Sequence, residues 1–364
     1  STDRSTMVGF PTDSAFTSDM NYMLNNAAAA SKSVVNNSSN TLDEVQSTFA
    51  RINVGYKGKY LLTASVRRDG STKFGGNNKN GLFPSFALKW RLSEESFIPK
   101  NIFSDLSVRV GYGVTGNQFI PHNLWAQRLR YRDASFDNSN IITGSRGVES
   151  TRNFDLGWEQ TTQIALGVDF GFMDNRISGS LDFYDKGTDK LLINSRGDGS
   201  ADGDGGYINL DADIENKGVE LSLNLVAFDS KDFKWNVAFN AAYNKNTVKN
   251  LSGLALNTGA INGQGLSGAY AQQIKEGYPL GAFFIRQADG YDANGLSKYI
   301  DGNDAQQFVG KGALPTWTGG ITNNLSYKGV DLSLFFNGSF GNYIYNNTAN
   351  AYFTKGSLAS GRNV

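Results

Sequence analysis

The sequence predicts an all-β protein, and within that class an antiparallel transmembrane β-barrel contributing about twelve strands. Three observations carry the expectation. The composition is rich in Gly (42), Phe (24) and Tyr (16) but poor in Pro (6), which favours extended strands and tight turns over helices. Long runs alternate apolar and polar residues with a period of two. The connections between those runs alternate between short and long.

The first strands follow Gln46, and "KYLLTASVRRDGSTKFG" (Lys59 to Gly75) shows the pattern. Tyr60, Leu62, Ala64 and Val66 alternate with Leu61, Thr63, Ser65 and Arg67 before a polar loop begins. "LSVRVGYGV" sets Leu106, Val108, Val110, Tyr112 and Val114 against Ser107, Arg109, Gly111 and Gly113. "QIALGVDFG" sets Ile164, Leu166, Val168 and Phe170 against Gln163, Ala165, Gly167 and Asp169. "VELSLNLVA" opposes Val219, Leu221, Leu223 and Leu225 to Glu220, Ser222 and Asn224. In "DFKWNVAFNAAYN" (Asp232 to Asn244) the rings cluster toward the ends of the oily face, as expected where strand ends meet membrane interfaces. "DLSLFFNGSF" closes the series with Leu332, Leu334, Phe336 and Phe340 on one side. The strands end near Phe340.

Tight turns are predicted at 57–59, 173–175, 229–232 and 328–329, and long polar connections at 70–81, 116–157, 188–213, 250–265 and 288–313. Residues 1–45 read as a long extracellular loop region with a short helical turn at its alanines. Residues 46–347 read as barrel strands with short periplasmic turns and long extracellular loops, and 348–364 as a loop where the chain is cut. A soluble β-sandwich also alternates apolar and polar residues. Strands of about ten residues and the unequal connections weigh against it.

The totals exclude several functions. Lys+Arg (34) balance Asp+Glu (34), so there is no basic footprint for nucleic acid. There is no Cys, and His122 is the only histidine, so thiolate and histidine-rich metal sites are excluded. No apolar run of roughly 18 residues is present to make a spanning helix, whereas a barrel strand shows lipid only every second residue. Mean hydropathy is −0.37. No nucleophile elbow, P-loop or HExxH pattern occurs, and no catalytic role or cofactor is expected.

Asp198, Ser200, Asp202 and Gly203 imitate the start of a Ca²⁺ loop, but position twelve is Asn209 rather than the bidentate Glu such a loop needs. "YIDGNDAQQF", with Asp301, Asn303 and Asp304, is a weaker echo, and the "RGD" at Arg196 to Asp198 is assigned no adhesion role. On the wet strand faces, Arg67, Arg109, Asp169, Asp182 and Glu220 are too costly to bury unpaired. They suit an aqueous or plugged lumen, either lining a path for polar solutes or simply solvating the wall. Trp125 and Tyr131 are candidates for stacking on a ligand in the loops.

"RINVGYKGKYLLTASVRRDGSTKFGGNNKNGLFPSFALKWRLSEESF" and "LSVRVGYGVTGNQ" resemble the barrel of SusC/RagA-like TonB-dependent outer-membrane transporters. "WEQTTQIALGVDFGFMDNRISGSLDFYDKGTDKLL", "IENKGVELSLN", "GYPLGAFF" and "LPTWTGGITNNLSYKGVDLSLFFNGSFGNYIYN" follow in the expected order, so the resemblance runs from about Arg51 to Asn347. It implies a barrel of about 22 strands with a plugged lumen, of which this chain is an internal piece without plug or coupling segment. It further implies the outer membrane of a Bacteroidetes-type bacterium and active import of an oligosaccharide or peptide. A SusD-like surface lipoprotein, TonB and outer-membrane lipid are the implied partners. A structural or adhesion barrel subunit without transport of its own is the alternative, and an open porin a third.

Overall fold

The computed structural model describes residues 2–6, 38–126, 128–136, 142–150, 152–196, 205–263, 266, 268–302 and 304–352. Its centre is a ten-stranded antiparallel sheet in which every strand pairs with its neighbours in sequence order. The strands are β1 (Val45–Tyr56), β2 (Tyr60–Ser71), β3 (Asn80–Arg91), β4 (Phe103–Asn117) and β5 (Glu159–Phe172). They continue as β6 (Ile177–Asp189), β7 (Asp213–Asp229), β8 (Phe233–Lys249), β9 (Trp317–Tyr327) and β10 (Val330–Phe340). All ten are longer than the five to six residues usual for globular strands. No described helix is long and apolar enough to cross a membrane.

The up-and-down path puts 57–59, 92–102, 173–176, 230–232 and 328–329 on one rim. Left-handed backbone closes the tight ones: Lys57 (φ 52°) with Gly58 (φ 67°), and Lys328 (φ 47°) with Gly329 (φ 88°). Positive φ at both central residues matches the twist of a two-residue hairpin. The opposite rim carries 72–79, 118–158, 190–212 and 250–316.

The sheet has ten strands where the sequence suggested about twelve. The difference lies between β8 and β9. Strands at Ala255–Ile261, Ala269–Lys275, Ala282–Ile285 and Gln307–Gly312 form a separate four-stranded sheet within the 250–316 excursion and do not join the main one. At four to seven residues they are shorter than any strand of the wall. The β3–β4 connection, 92–102, is a further feature the sequence reading passed over, with a 3-10 turn at Leu92–Glu94. A short helix, α1 (Asn347–Tyr352), stands at the start of the segment expected to be loop.

Register sorts the two faces. Tyr56, Tyr60, Trp90, Val108, Val168, Leu181, Leu221, Ala241, Gly319 and Gly338 form one transverse row through all ten strands. Directly opposed residues share a face, so this row and its neighbours make a continuous apolar band. Many of its side chains lie open, including Phe86, Ile164, Leu166, Phe239, Phe336 and Phe340. The row starts at the turn rim in β1 and reaches the loop rim in β10, the stagger that closing a sheet requires.

Burial concentrates at the loop rim. Phe74, Phe83, Ile120, Leu124, Leu156 and Trp158 form a cluster joined by Val114, Trp125, Leu192 and Tyr207. Three loop-rim connections, 72–79, 118–158 and 190–212, therefore share one core. Phe74 packs 4.8 Å from Trp158 and Phe83 lies edge-on to it at 5.3 Å. Asn209 locks the arrangement, its Nδ2 donating to Gly157 O (2.9 Å) while its Oδ1 accepts from Gly157 N (2.7 Å).

Candidate functional site

The polar face carries its own transverse row. Lys89, Arg109, Gly167, Asp182 and Glu220 stand in register on β3 to β7, with Asp169 two residues further along β5. Lys89 Nζ donates to Asp169 Oδ2 (2.9 Å), and Arg109 Nε is 3.0 Å from both Asp169 oxygens. Arg109 Nη2 reaches Asp169 Oδ1 and Asp182 Oδ1, each at 2.9 Å. One guanidinium thus spans carboxylates on two successive strands, using the fork geometry peculiar to arginine.

Gly167 makes the span possible. A Cβ there would overlap Asp182 Oδ1 and stand 2.9 Å from Arg109 Cζ and Nη2. The missing side chain lets Arg109 lie flat across β5. The same device recurs one pleat closer to the loops, where the Tyr184 ring lies over Gly218 and its hydroxyl donates to Asn244 Oδ1 (3.2 Å). Asn216 Oδ1 accepts from Asn244 and Asn246 (3.2 and 2.9 Å). The result is a low, hydrogen-bonded wall rather than a field of projecting side chains.

Three of the five wet-face candidates, Arg109, Asp169 and Asp182, meet in this network. Glu220 lies directly opposite Asp182 in register and is exposed, with no ion pair among the described residues. Lys89 and Arg109 balance Asp169 and Asp182, so Glu220 leaves one negative charge in excess on this stretch of wall. Arg67 stands apart, held by Asp69 (Nε to Oδ1, 2.6 Å) and Ser47 (Nη2 to Oγ, 3.1 Å). Lys89 was not singled out from the sequence. Its place on the wet face was readable from alternation, but its pairing with Asp169 depends on registers across β3, β4 and β5.

Trp125 is partly buried against the loop-rim core, with Nε1 donating to Thr72 O (3.1 Å) and its ring 5.8 Å from Phe154. The Tyr131 side chain lies outside the described residues, as do Asp198, Ser200, Asp202, Gly203 and Asn303. Among the described residues no group of three or more His, Cys, Asp or Glu could hold a metal. His122 finds a partner distant in sequence, Asp43, at 2.6 Å from Nδ1.

At the turn rim, on the apolar face, Glu95 gathers three donors. Lys59 Nζ reaches Oε2 (2.7 Å), and Tyr60 OH and Trp90 Nε1 reach Oε1 (2.9 and 3.2 Å). The hydrogen bond from Lys59, then those from Trp90 and Tyr60, hold the Glu95 carboxyl below its ordinary range, and Glu95 raises Lys59 in return. At the other rim, Lys217 joins Asp185 and Glu215 (3.0 Å each) and Lys249 joins Glu215 (2.8 Å). Asp185 and Lys217 share the parity of the apolar face, so this ion cluster marks where that face stops being oily.

The polar wall carries no constellation for covalent chemistry; it is built to offer charge and hydrogen bonds along a surface. Comparison with known proteins agrees. Residues 2–357 match the family model described as TonB dependent receptor-like, beta-barrel. The chain is 31% identical over 325 residues to the TonB-dependent receptor SusC of Bacteroides thetaiotaomicron, covering 84% of this chain and 32% of that protein. It is 32% identical over 335 residues to the TonB-dependent receptor P3 of Formosa agariphila, again covering 84% and 32%. The chain thus spans about a third of the length of these relatives. Among solved structures, the RagAB peptide transporter superposes with a TM-score of 0.74 at 24% identity, over 91% of this chain and 37% of that one. The RagAB peptide importer in its closed-closed state gives 0.73 at 25%, over 90% and 36%. Relatives of this kind are receptors and transporters rather than enzymes. The ten-stranded sheet is accordingly a section of an outer-membrane barrel wall, and the chain belongs to the TonB-dependent receptor-like β-barrel family.

Proposed function

We propose that this chain forms part of the barrel of a TonB-dependent importer that carries a large nutrient, an oligosaccharide or a peptide, across the outer membrane. The carrying observation is the division of one sheet into a continuous apolar band and a polar wall crossed by the Lys89–Asp169–Arg109–Asp182 network. The band meets lipid. The wall faces a lumen that is wet or filled by a plug, where such charges are inexpensive.

In this reading the tight turns are periplasmic and the folded loops extracellular. Residues 1–45 belong to an extracellular loop region, 46–347 hold the barrel strands, and 348–364 form a loop. A SusD-like surface lipoprotein covers the loops and helps capture the ligand. TonB, acting on a plug elsewhere in the full-length protein, supplies the energy. The wall does no bond-making; its flat network lets a solute or a remodelled plug pass without snagging on long side chains. The excess negative charge at Glu220, beside Asp182, suits a cationic group presented from the lumen.

Peptide mapping by mass spectrometry of the native complex, extracted in mild detergent, tests the reading. Upstream plug and coupling peptides, with a co-purifying surface lipoprotein, are the expected result. A native chain with neither would overturn import and favour a structural barrel subunit. Radiolabelled nutrient uptake by cells carrying or lacking the gene then separates an importer from a scaffold that keeps its plug.

A further inference from the structure

Near the loop rim, the apolar band is interrupted by a slot. Its floor is the end of the transverse row, Ala241, Gly319 and Gly338, which have almost no side chain. On the loop side it is bounded by Tyr243, Trp317 and Phe340, and on the other by Phe239, Ile321 and Phe336. Tyr243 and Trp317 pack at 4.9 Å. The slot is an open groove of about 610 Å³, and its lining includes no charged residue.

Immediately beyond the Tyr243–Trp317 row lies a second cavity of about 390 Å³, between the end of β8, the 277–282 segment and 308–316. Its lining includes Lys245 and Lys311 and no carboxylate. Lys311 sits 4.7 Å from the Tyr343 ring centroid. The nearest acids along the sheet, Asp185 and Glu215, are engaged by Lys217 and Lys249. Neither Lys245 nor Lys311 has a carboxylate partner among the described residues.

An apolar slot in the lipid-facing band, next to two ammonium groups without a carboxylate partner among the described residues, is complementary to an amphiphile with an anionic head. We propose that this part of the wall retains one phosphorylated glycolipid of the outer leaflet, its phosphate at Lys245 and Lys311 and one acyl chain in the Ala241–Gly319–Gly338 slot. The charge pattern selects the phosphate, and the small groups at Ala241 and Gly319 leave room for a chain beside the Phe340 ring, which reaches the space over Gly338. The choice of leaflet rests on the sidedness proposed above. Retention itself rests only on the slot and the lysines.

Native mass spectrometry of the full-length protein, extracted from outer membranes in mild detergent, is the test. The wild type is expected to carry one phosphorylated glycolipid per barrel. Lys245→Ala with Lys311→Ala, or Ala241→Leu alone, is expected to lower occupancy roughly tenfold, and the paired Lys→Arg changes to preserve it. Heat-dependent gel migration confirms that each variant is folded. A wild type without bound lipid, equal occupancy in all variants, or a glycerophospholipid in place of the glycolipid would overturn the proposal. Uptake measured on the wild type keeps the two readings apart: intact transport by a wild type without retained lipid overturns this site alone, and a wild type that retains lipid but does not transport overturns import alone.

Discussion

Single residues show most directly how the wall is held. Arg109 neutralises parts of two carboxylates while a third, Glu220, stands beside them. Arg109→Ala is expected to lower thermal stability in detergent by about 1 kcal/mol, since the groups are partly open to solvent. Arg109→Lys should recover only part of the loss, because an ammonium cannot fork to both strands. Equal stability of all three proteins by circular dichroism would show the network to be inert. Glu95 gives a pH signature. Its carboxyl is depressed by Lys59, Trp90 and Tyr60, so its stabilisation is complete above the unfolded value of 4.5 and is lost as pH falls through the lower folded value. The Lys59 contribution has the opposite window, present below its unfolded value of 10.5 and lost as pH rises through the raised folded one. The thermal advantage of wild type over Glu95→Gln should therefore collapse in acid below that range; a constant difference down to full protonation would contradict the assignment. Parity along each strand made Arg109, Asp169 and Asp182 legible as wet-face residues. Their meeting was not legible, because it needs the registers of β4, β5 and β6 together with the gap at Gly167.

At the scale of elements, period-two alternation marked six of the ten wall strands, β2, β4, β5, β7, β8 and β10, because lipid on one side and water on the other impose it, and the turn and loop marks left room for the other four between them. Leu223 lies within the band of β7, and its neighbour Ser222 faces the polar wall. Leu223→Arg is expected to cost about 2–4 kcal/mol in a detergent or bilayer unfolding experiment, whereas Ser222→Arg should cost far less. Similar costs at both positions would place the two faces in similar surroundings. Alternation failed between β8 and β9 for a physical reason. "AYAQQIK" at Ala269–Lys275 is a strand too, but which sheet it joins is decided by partners, not by its own pattern. The connection 92–102 was missed because it carries neither a glycine turn nor a long polar run, and its role in delivering Glu95 to Lys59, Tyr60 and Trp90 appears only in three dimensions.

For the whole molecule, the outer edges of β1 and β10 matter most. Neither pairs with another strand among the described residues, and open edges cannot persist in hydrocarbon. The 364-residue chain produced alone and refolded in detergent should self-associate through these edges, while the full-length protein should behave as a closed barrel in size-exclusion chromatography with light scattering. A stable monomer of the isolated chain would contradict the barrel-section reading. The shared core under the loops bears on how such a wall responds to force. Phe74 from 72–79, Leu124 and Leu156 from 118–158 and Leu192 from 190–212 bring three connections into one core, which is expected to open as a unit. A ligand or lid pressing on one loop is therefore resisted by all of them, so the rim behaves as a stiff lever, and a pull on any one loop is delivered to the barrel wall rather than dissipated in its own bending.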